Sequence, residues 1–283
     1  LRLRTKLVTQ VETHSLGLGD IGSVAKLVFV VTVVGEVITA VFLTTRFYSA
    51  YPMSFADAAW NGVFHAISAF NNAGFSIYPD SLIRFAVDPL ILLPIMVAIM
   101  VGGIGFPVLH DLRMKIRDPR HWSLHTKLTL LGTGVLLLVG FLGLLAFEWH
   151  NAQTLGALSF VDKLWSAAFM SVSARTAGFN ALDIGLLNHE SWALHYLLMF
   201  IGGGSAGTAG GVKVGTVVIL VLIVIAEIRG LNDSEAFGRR GGPQAQRQAV
   251  TVLVLGSALV VTATVMILRM TDLPTDQVIF EVV

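Results

Sequence analysis

The chain has 283 residues, of which 54% are hydrophobic and only 13% charged, with a formal net charge of +1 and no cysteine. So few charges cannot cover the surface of a soluble domain. Without cysteine there is neither a disulfide framework nor a thiolate metal site, and the near-neutral balance leaves no basic footprint for nucleic acid.

Residues 1–23 open on the basic run Arg2-Leu3-Arg4-Thr5-Lys6. No apolar region follows directly, so this is not a signal peptide; it reads as a cytoplasmic linker from a preceding unit. An apolar segment near 24–45 has the length that crosses a hydrocarbon core, about 20 residues. Glu36 lies in its middle, either as a functional intramembrane carboxylate or as a hydrogen-bond partner of a neighbouring helix.

Next comes Phe55-x-Asp57-x-x-Trp60-x-x-x-Phe64-x-x-x-Ser68-Ala69, running into Asn71-Asn72-Ala73-Gly74-Phe75. Trp60, Phe64 and Ser68 share one face of a helix too short to span. A second span is expected near 88–110, which closes a unit at 24–112. The segment 113–125 is then a cytoplasmic loop, whose basic residues dock a partner or face lipid headgroups.

The pattern repeats. A span near 126–147 precedes Phe160-x-Asp162-x-x-Trp165-x-x-x-Phe169-x-x-x-Ser173-Ala174, which runs into Arg175-Thr176-Ala177-Gly178-Phe179. The following span, near 193–226, is interrupted by Gly202-Gly203-Gly204-Ser205-Ala206-Gly207-Thr208-Ala209-Gly210-Gly211 and then Lys213. Each glycine weakens a helix by about 1 kcal/mol relative to alanine. The span should therefore break into two half-helices, unless the glycines serve as a close-packing face. This second unit covers 126–228, and a cytoplasmic loop fills 229–247. A further span near 248–268 leads to Phe280-Glu281-Val282-Val283, which aligns with Phe64-His65-Ala66-Ile67; 248–283 reads as the start of another unit.

Arginine and lysine concentrate in 1–26, 110–127 and 227–247. The positive-inside rule places these in the cytoplasm and the two short helices on the outer side, as parallel repeats. Irregular backbone at membrane depth is tolerated only where it is buried in protein or lines water. Its unpaired carbonyls then suit a cation, and Gly74 and Gly178 allow the required dihedrals. Phe75 and Phe179 are expected to wedge their loops against the scaffold. Arg175 should turn from the pore into a salt bridge with Asp57 or Asp162, unless those aspartates cap their helices. Asn71 and Asn72 offer amide oxygens to the ion or brace the loop. Lys213 either repels the ion or anchors its loop.

Asn71-Asn72-Ala73-Gly74-Phe75-Ser76, Thr176-Ala177-Gly178-Phe179-Asn180 and the 202–213 segment resemble the Trk/Ktr/HKT superfamily of potassium transporters, in its bacterial Trk/Ktr branch. The resemblance implies an all-α polytopic protein of the cell membrane, with four helix–pore helix–filter loop–helix units around a pseudo-fourfold pore. This chain then holds the second and third units and the start of the fourth. Also implied are potassium as substrate on the carbonyls of Ala73, Gly74, Ala177 and Gly178, a gating loop at 202–213, no cofactor, no enzymatic activity, a homodimer, and a cytosolic ring of nucleotide-binding regulatory subunits.

Two other classes stay open. A secondary transporter would use the re-entrant hairpins without a continuous pore. An intramembrane serine protease would use Ser205, in Gly203-x-Ser205-x-Gly207, with His65, His110 or His195 as base.

Overall fold

The structure is a computed structural model that describes residues 21–230, 235–236, 239–240 and 243–283. The expected linker up to residue 20, and parts of the expected 229–247 loop, lie outside the described residues. The architecture is helical: α1 (Ile21–Ala50), α2 (Phe55–Phe70), α3 (Pro89–Gly103), α4 (Phe106–Lys115), α5 (Leu124–Glu148), α6 (Phe160–Ser173), α7 (His189–Phe200), α8 (Val214–Ile228), α9 (Pro243–Met270) and α10 (Thr275–Val282). One short antiparallel ladder pairs Glu235–Ala236 with Arg239–Arg240.

Segments within α1, α5 and α9 are long and apolar enough to cross a membrane alone. Their outward faces carry exposed Phe29, Val37 and Phe42, then Leu138 and Leu142, then Leu255 and Leu259. Such faces fit lipid, where no water is available to penalise apolar exposure. The buried core lies between the two units, with Leu43, Phe47, Phe70, Phe85, Ile91 and Ile95 of the first against Phe169 and Phe179 of the second.

The span expected near 88–110 is not one helix. α3 stops at Gly103, Gly105 takes φ +99°, and α4 departs at 96° to α3. The α3 end gives its carbonyls to another segment instead: Gly103 O accepts from Gly204 N at 2.8 Å, and Gly102 O from Thr208 N at 3.0 Å. Pro107, in the first turn of α4, suits a helix restart. Both units therefore break their second long helix, at 103–106 and at 200–214.

Each unit clasps its two long helices at one end. In the first, Asp88, the N-cap of α3, takes Arg46 Nε at 2.9 Å and Tyr51 Oη at 2.9 Å. In the second the carboxylate sits on the other helix. Glu148, at the end of α5, is fully buried and accepts from Thr154 Oγ1 (2.6 Å), Asn151 Nδ2 (2.7 Å), Asn188 N (2.8 Å) and the Ser191 hydroxyl. Removing an acceptor that satisfies four donors, two of them buried, costs about 3 kcal/mol. Glu148→Ala should therefore lower the thermal unfolding midpoint in detergent markedly, and Glu148→Gln less. Equal midpoints for the alanine variant and wild type would contradict this role.

At the opposite end, α4 is tied to α5 through Asp111, whose carboxylate accepts from Ser123 N at 2.7 Å and pairs with Lys115 at 3.1 Å. Burial opposes ionisation of Asp111. The hydrogen bonds from Ser123, Thr126 and Lys115 outweigh it and hold the pKa at about 2, below the ordinary 3.8. With the folded value depressed, this stability is present above pH 4 and is lost as pH falls towards 2. Wild type should lose on the order of 1–2 kcal/mol across that window, and Asp111→Asn should flatten that acid limb in a pH series of unfolding midpoints.

Candidate ion site

The two short helices are built alike. Ser54 and Ser159 are their N-caps; Ser54 Oγ accepts from Asp57 N at 3.1 Å, and Ser159 Oγ from Asp162 N at 3.3 Å. Each serine donates back to the aspartate carboxylate, at 2.6 and 2.5 Å. These reciprocal caps fix the helix starts. The C-termini then point at the two loops, and the negative end of a helix dipole favours a cation there.

Past those ends the two loops take one conformation from different lengths of chain. Asn72 and Gly74 have φ +49° and +70°; Thr176 and Gly178 have +67° and +83°. Ser68 Oγ donates to Phe75 O at 2.8 Å, and Ser173 Oγ to Phe179 O at 2.5 Å. The helix-terminal serines thus hold the carbonyl following each glycine. Ser68 O and Ser173 O in turn accept from Ala73 N and Ala177 N, both at 2.9 Å. Among the described residues no backbone N–H donates to the carbonyls of Ala73, Gly74, Ala177 or Gly178. The loops meet backbone to backbone at the paired glycines: a Cβ on Gly74 would lie 2.7 Å from Gly178 Cα, and one on Gly178 3.2 Å from Gly74 Cα. A cavity of about 450 Å³ opens beside them, lined by Ala73, Thr176, Ala177 and Gly178 and, from α10, Phe280 and Glu281.

The flanking residues behave unequally. Phe179 is buried and packs on the His65 ring of α2, in the preceding unit. Phe75 is 71% exposed, so it wedges against nothing described. Phe179 faces the pore helix of the unit before its own, and no such unit precedes α1 among the described residues. Asn71 Nδ2 donates to Glu36 Oε1 at 2.7 Å, so α1 braces the loop. His65 is buried, with Nδ1 on Asn61 O and Nε2 on Ser76 Oγ.

Arg175 does not reach an aspartate. Asp57 and Asp162 lie in the first turns, at the far ends of helices capped by Ser54 and Ser159, whereas Arg175 follows the C-terminus of α6. It is buried, and its guanidinium donates to Gly202 O at 3.0 Å. No described carboxylate lies within ion-pair distance of it. The Gly202 carbonyl and the negative end of the α6 dipole take the place of a counter-ion, while the buried Nε has no hydrogen-bond partner among the described residues.

The segment 202–213 is a loop between α7 and α8, pinned on several sides. Thr208 Oγ1 donates to Phe70 O at 2.9 Å and lies 3.2 Å from Asn72 Oδ1. Gly210 N donates to Thr176 Oγ1 at 2.9 Å. Gly203 O accepts from Val214 N, and Ala206 O from Phe106 N. Lys213 Nζ donates to Ala209 O at 2.6 Å, an anchor within the loop. The glycines answer both earlier readings, since they break the helix and also pack closely. A Cβ at Gly203 would lie 2.5 Å from that of Ala209 and, at Gly204, 2.7 Å from the Ile104 carbonyl carbon. Ser205 is not bonded to His65 or His195; His195 Nδ1 is on Ser191 O at 2.7 Å.

Repeated helix–re-entrant loop–helix units of this kind define a polytopic membrane transport protein. A family model described as TrkH, cation transport protein, matches residues 2–283, and the chain belongs to that family. It is 41% identical over 237 residues to Ktr system potassium uptake protein B of Bacillus subtilis, covering 84% of this chain and 53% of that one. It is 34% identical over 251 residues to the protein of the same name in Vibrio alginolyticus, with coverage of 88% and 55%. Potassium/sodium uptake protein NtpJ of Enterococcus hirae is 35% identical over 262 residues, 92% of this chain and 57% of that one. The crystal structure of the potassium transporter TrkH from Vibrio parahaemolyticus shares the fold, with TM-score 0.70 at 23% identity, over 88% of this chain and 52% of that one. The chain spans about half the length of the curated relatives it matches. The family is one of transport proteins, not hydrolases, so the serine-protease reading of Ser205 is set aside.

Proposed function

We propose that the parent protein takes up potassium across the cell membrane, through a filter whose second and third arcs are the loops at 71–75 and 175–179. The observation that carries this reading is the pair of glycine loops, alike in backbone and touching at Gly74 and Gly178, with four carbonyls that accept from no backbone N–H among the described residues. These oxygens would replace part of the ion's hydration shell. A short loop per unit provides few stacked sites, so selectivity over sodium should be moderate. The segment 202–213 is the gate beneath them. Units one and four, completing a pseudo-fourfold ring, supply the remaining arcs and the pore helix that covers Phe75. The working assembly is a homodimer on a cytosolic ring of nucleotide-binding subunits.

A bacterium lacking potassium uptake, carrying the full-length parent, tests the reading. Growth at low potassium should be restored. Absence of rescue by an expressed, membrane-inserted protein would overturn it. Saturation at modest turnover without single-channel currents would instead favour a secondary transporter whose re-entrant hairpins form no continuous pore.

A further inference from the structure

The α4 end of the first unit carries features that ion conduction does not use. α4 turns 96° from α3, so it runs across the span instead of continuing it. The chain after it is folded on itself. Lys115 is held by Asp111 at 3.1 Å and by His121 O at 3.0 Å. Trp122 Nε1 donates to Lys115 O at 2.9 Å, and His121 pairs with Asp118 at 2.5 Å. Every acidic group of this turn is thereby engaged. Arg113, Arg117 and Arg120 are left exposed, with no ion pair among the described residues. Between them stand Met114 and Ile116, 69% and 70% exposed. A shallow bowl of about 550 Å³ is lined by Met114, Lys115, Ile116, Arg117, Asp118 and His121.

We propose that this turn binds the phosphodiester headgroup of an anionic phospholipid, with Arg113 and Arg117 on the phosphate and Met114 and Ile116 against the acyl and glycerol portion. Arginine offers a planar fork that matches phosphate oxygens. Basic residues at the end of a span draw anionic lipid, and exposed apolar side chains beside them enter the boundary between headgroup and chain. The arginines alone would serve a protein partner equally well. The two long apolar side chains, placed at the depth where α3 ends, favour lipid. The site is separate from the ion path, so it stands or falls independently of the transport reading.

The test uses the purified full-length parent, stripped of lipid and titrated with phosphatidylglycerol or phosphatidylcholine, with bound copies counted by native mass spectrometry. Wild type should retain phosphatidylglycerol over phosphatidylcholine. Arg113→Gln with Arg117→Gln should weaken retention about tenfold, and Arg113→Lys with Arg117→Lys should keep part of it. The wild-type preference should also fall as salt rises, a readout that needs no variant. Equal retention of the two lipids by wild type would overturn the proposal. So would unchanged retention in the glutamine variant, or a loss confined to binding of a cytosolic partner.

Discussion

Gly74→Ser should abolish rescue at low potassium, and Gly178→Ser should reduce it less. Both positions have left-handed backbone, where any side chain costs about 1–2 kcal/mol. They differ in space. A Cβ at Gly74 overlaps the Ala177 carbonyl oxygen and comes within 2.7 Å of Gly178 Cα, both rigid backbone. Among the described residues a Cβ at Gly178 meets nothing nearer than 3.2 Å. The first substitution must displace a proposed ion ligand, so uptake should fall more than tenfold, the equivalent of about 1.4 kcal/mol. The second should leave measurable uptake with more sodium admitted. Initial rates of rubidium uptake in cells with matched expression read the difference. Wild-type rates in both variants would show the hairpins to be scaffolding.

Thr208→Val should raise the uptake rate of the protein reconstituted alone. The hydroxyl of Thr208 ties the 202–213 loop to Phe70 O, with Asn72 alongside, and valine keeps the shape but loses the donor. Leaving a buried carbonyl unmatched in the closed state costs about 1–3 kcal/mol. A gate that is mostly closed would then open roughly 5- to 150-fold more often. Thr208→Ser, which keeps the hydroxyl, should stay near the wild-type rate. A valine variant with unchanged or lower flux would argue that the loop does not gate, or that this bond persists when it opens.

Much of the site was legible because the chain states it twice. The short amphipathic helices recur in register with a glycine loop after each, and the structure gives both loops the same backbone although one is a residue shorter. The break after Phe200 was legible because its glycines are dense. The equivalent break at Gly103 was not, although Gly102-Gly103-Ile104-Gly105-Phe106-Pro107 is a cluster of helix breakers. Hydropathy runs smoothly through it, and hydropathy is blind to backbone. Arg175 shows a different limit. A charged side chain invites a search for an opposite charge, yet its partner is the Gly202 carbonyl, which any residue could supply. Phe75 and Phe179 look equivalent in sequence and differ in burial because burial depends on the neighbouring unit. The tie between Thr208 and Phe70 joins residues far apart in sequence and had no signal at all.

The central claim is that a potassium ion rests on carbonyls of Ala73, Gly74, Ala177 and Gly178. Anomalous diffraction from crystals of the full-length parent grown with rubidium in place of potassium tests it most directly. The account predicts a peak on the pore axis within coordination distance of those oxygens. A peak elsewhere in the protein, with none at the paired glycines, would contradict it.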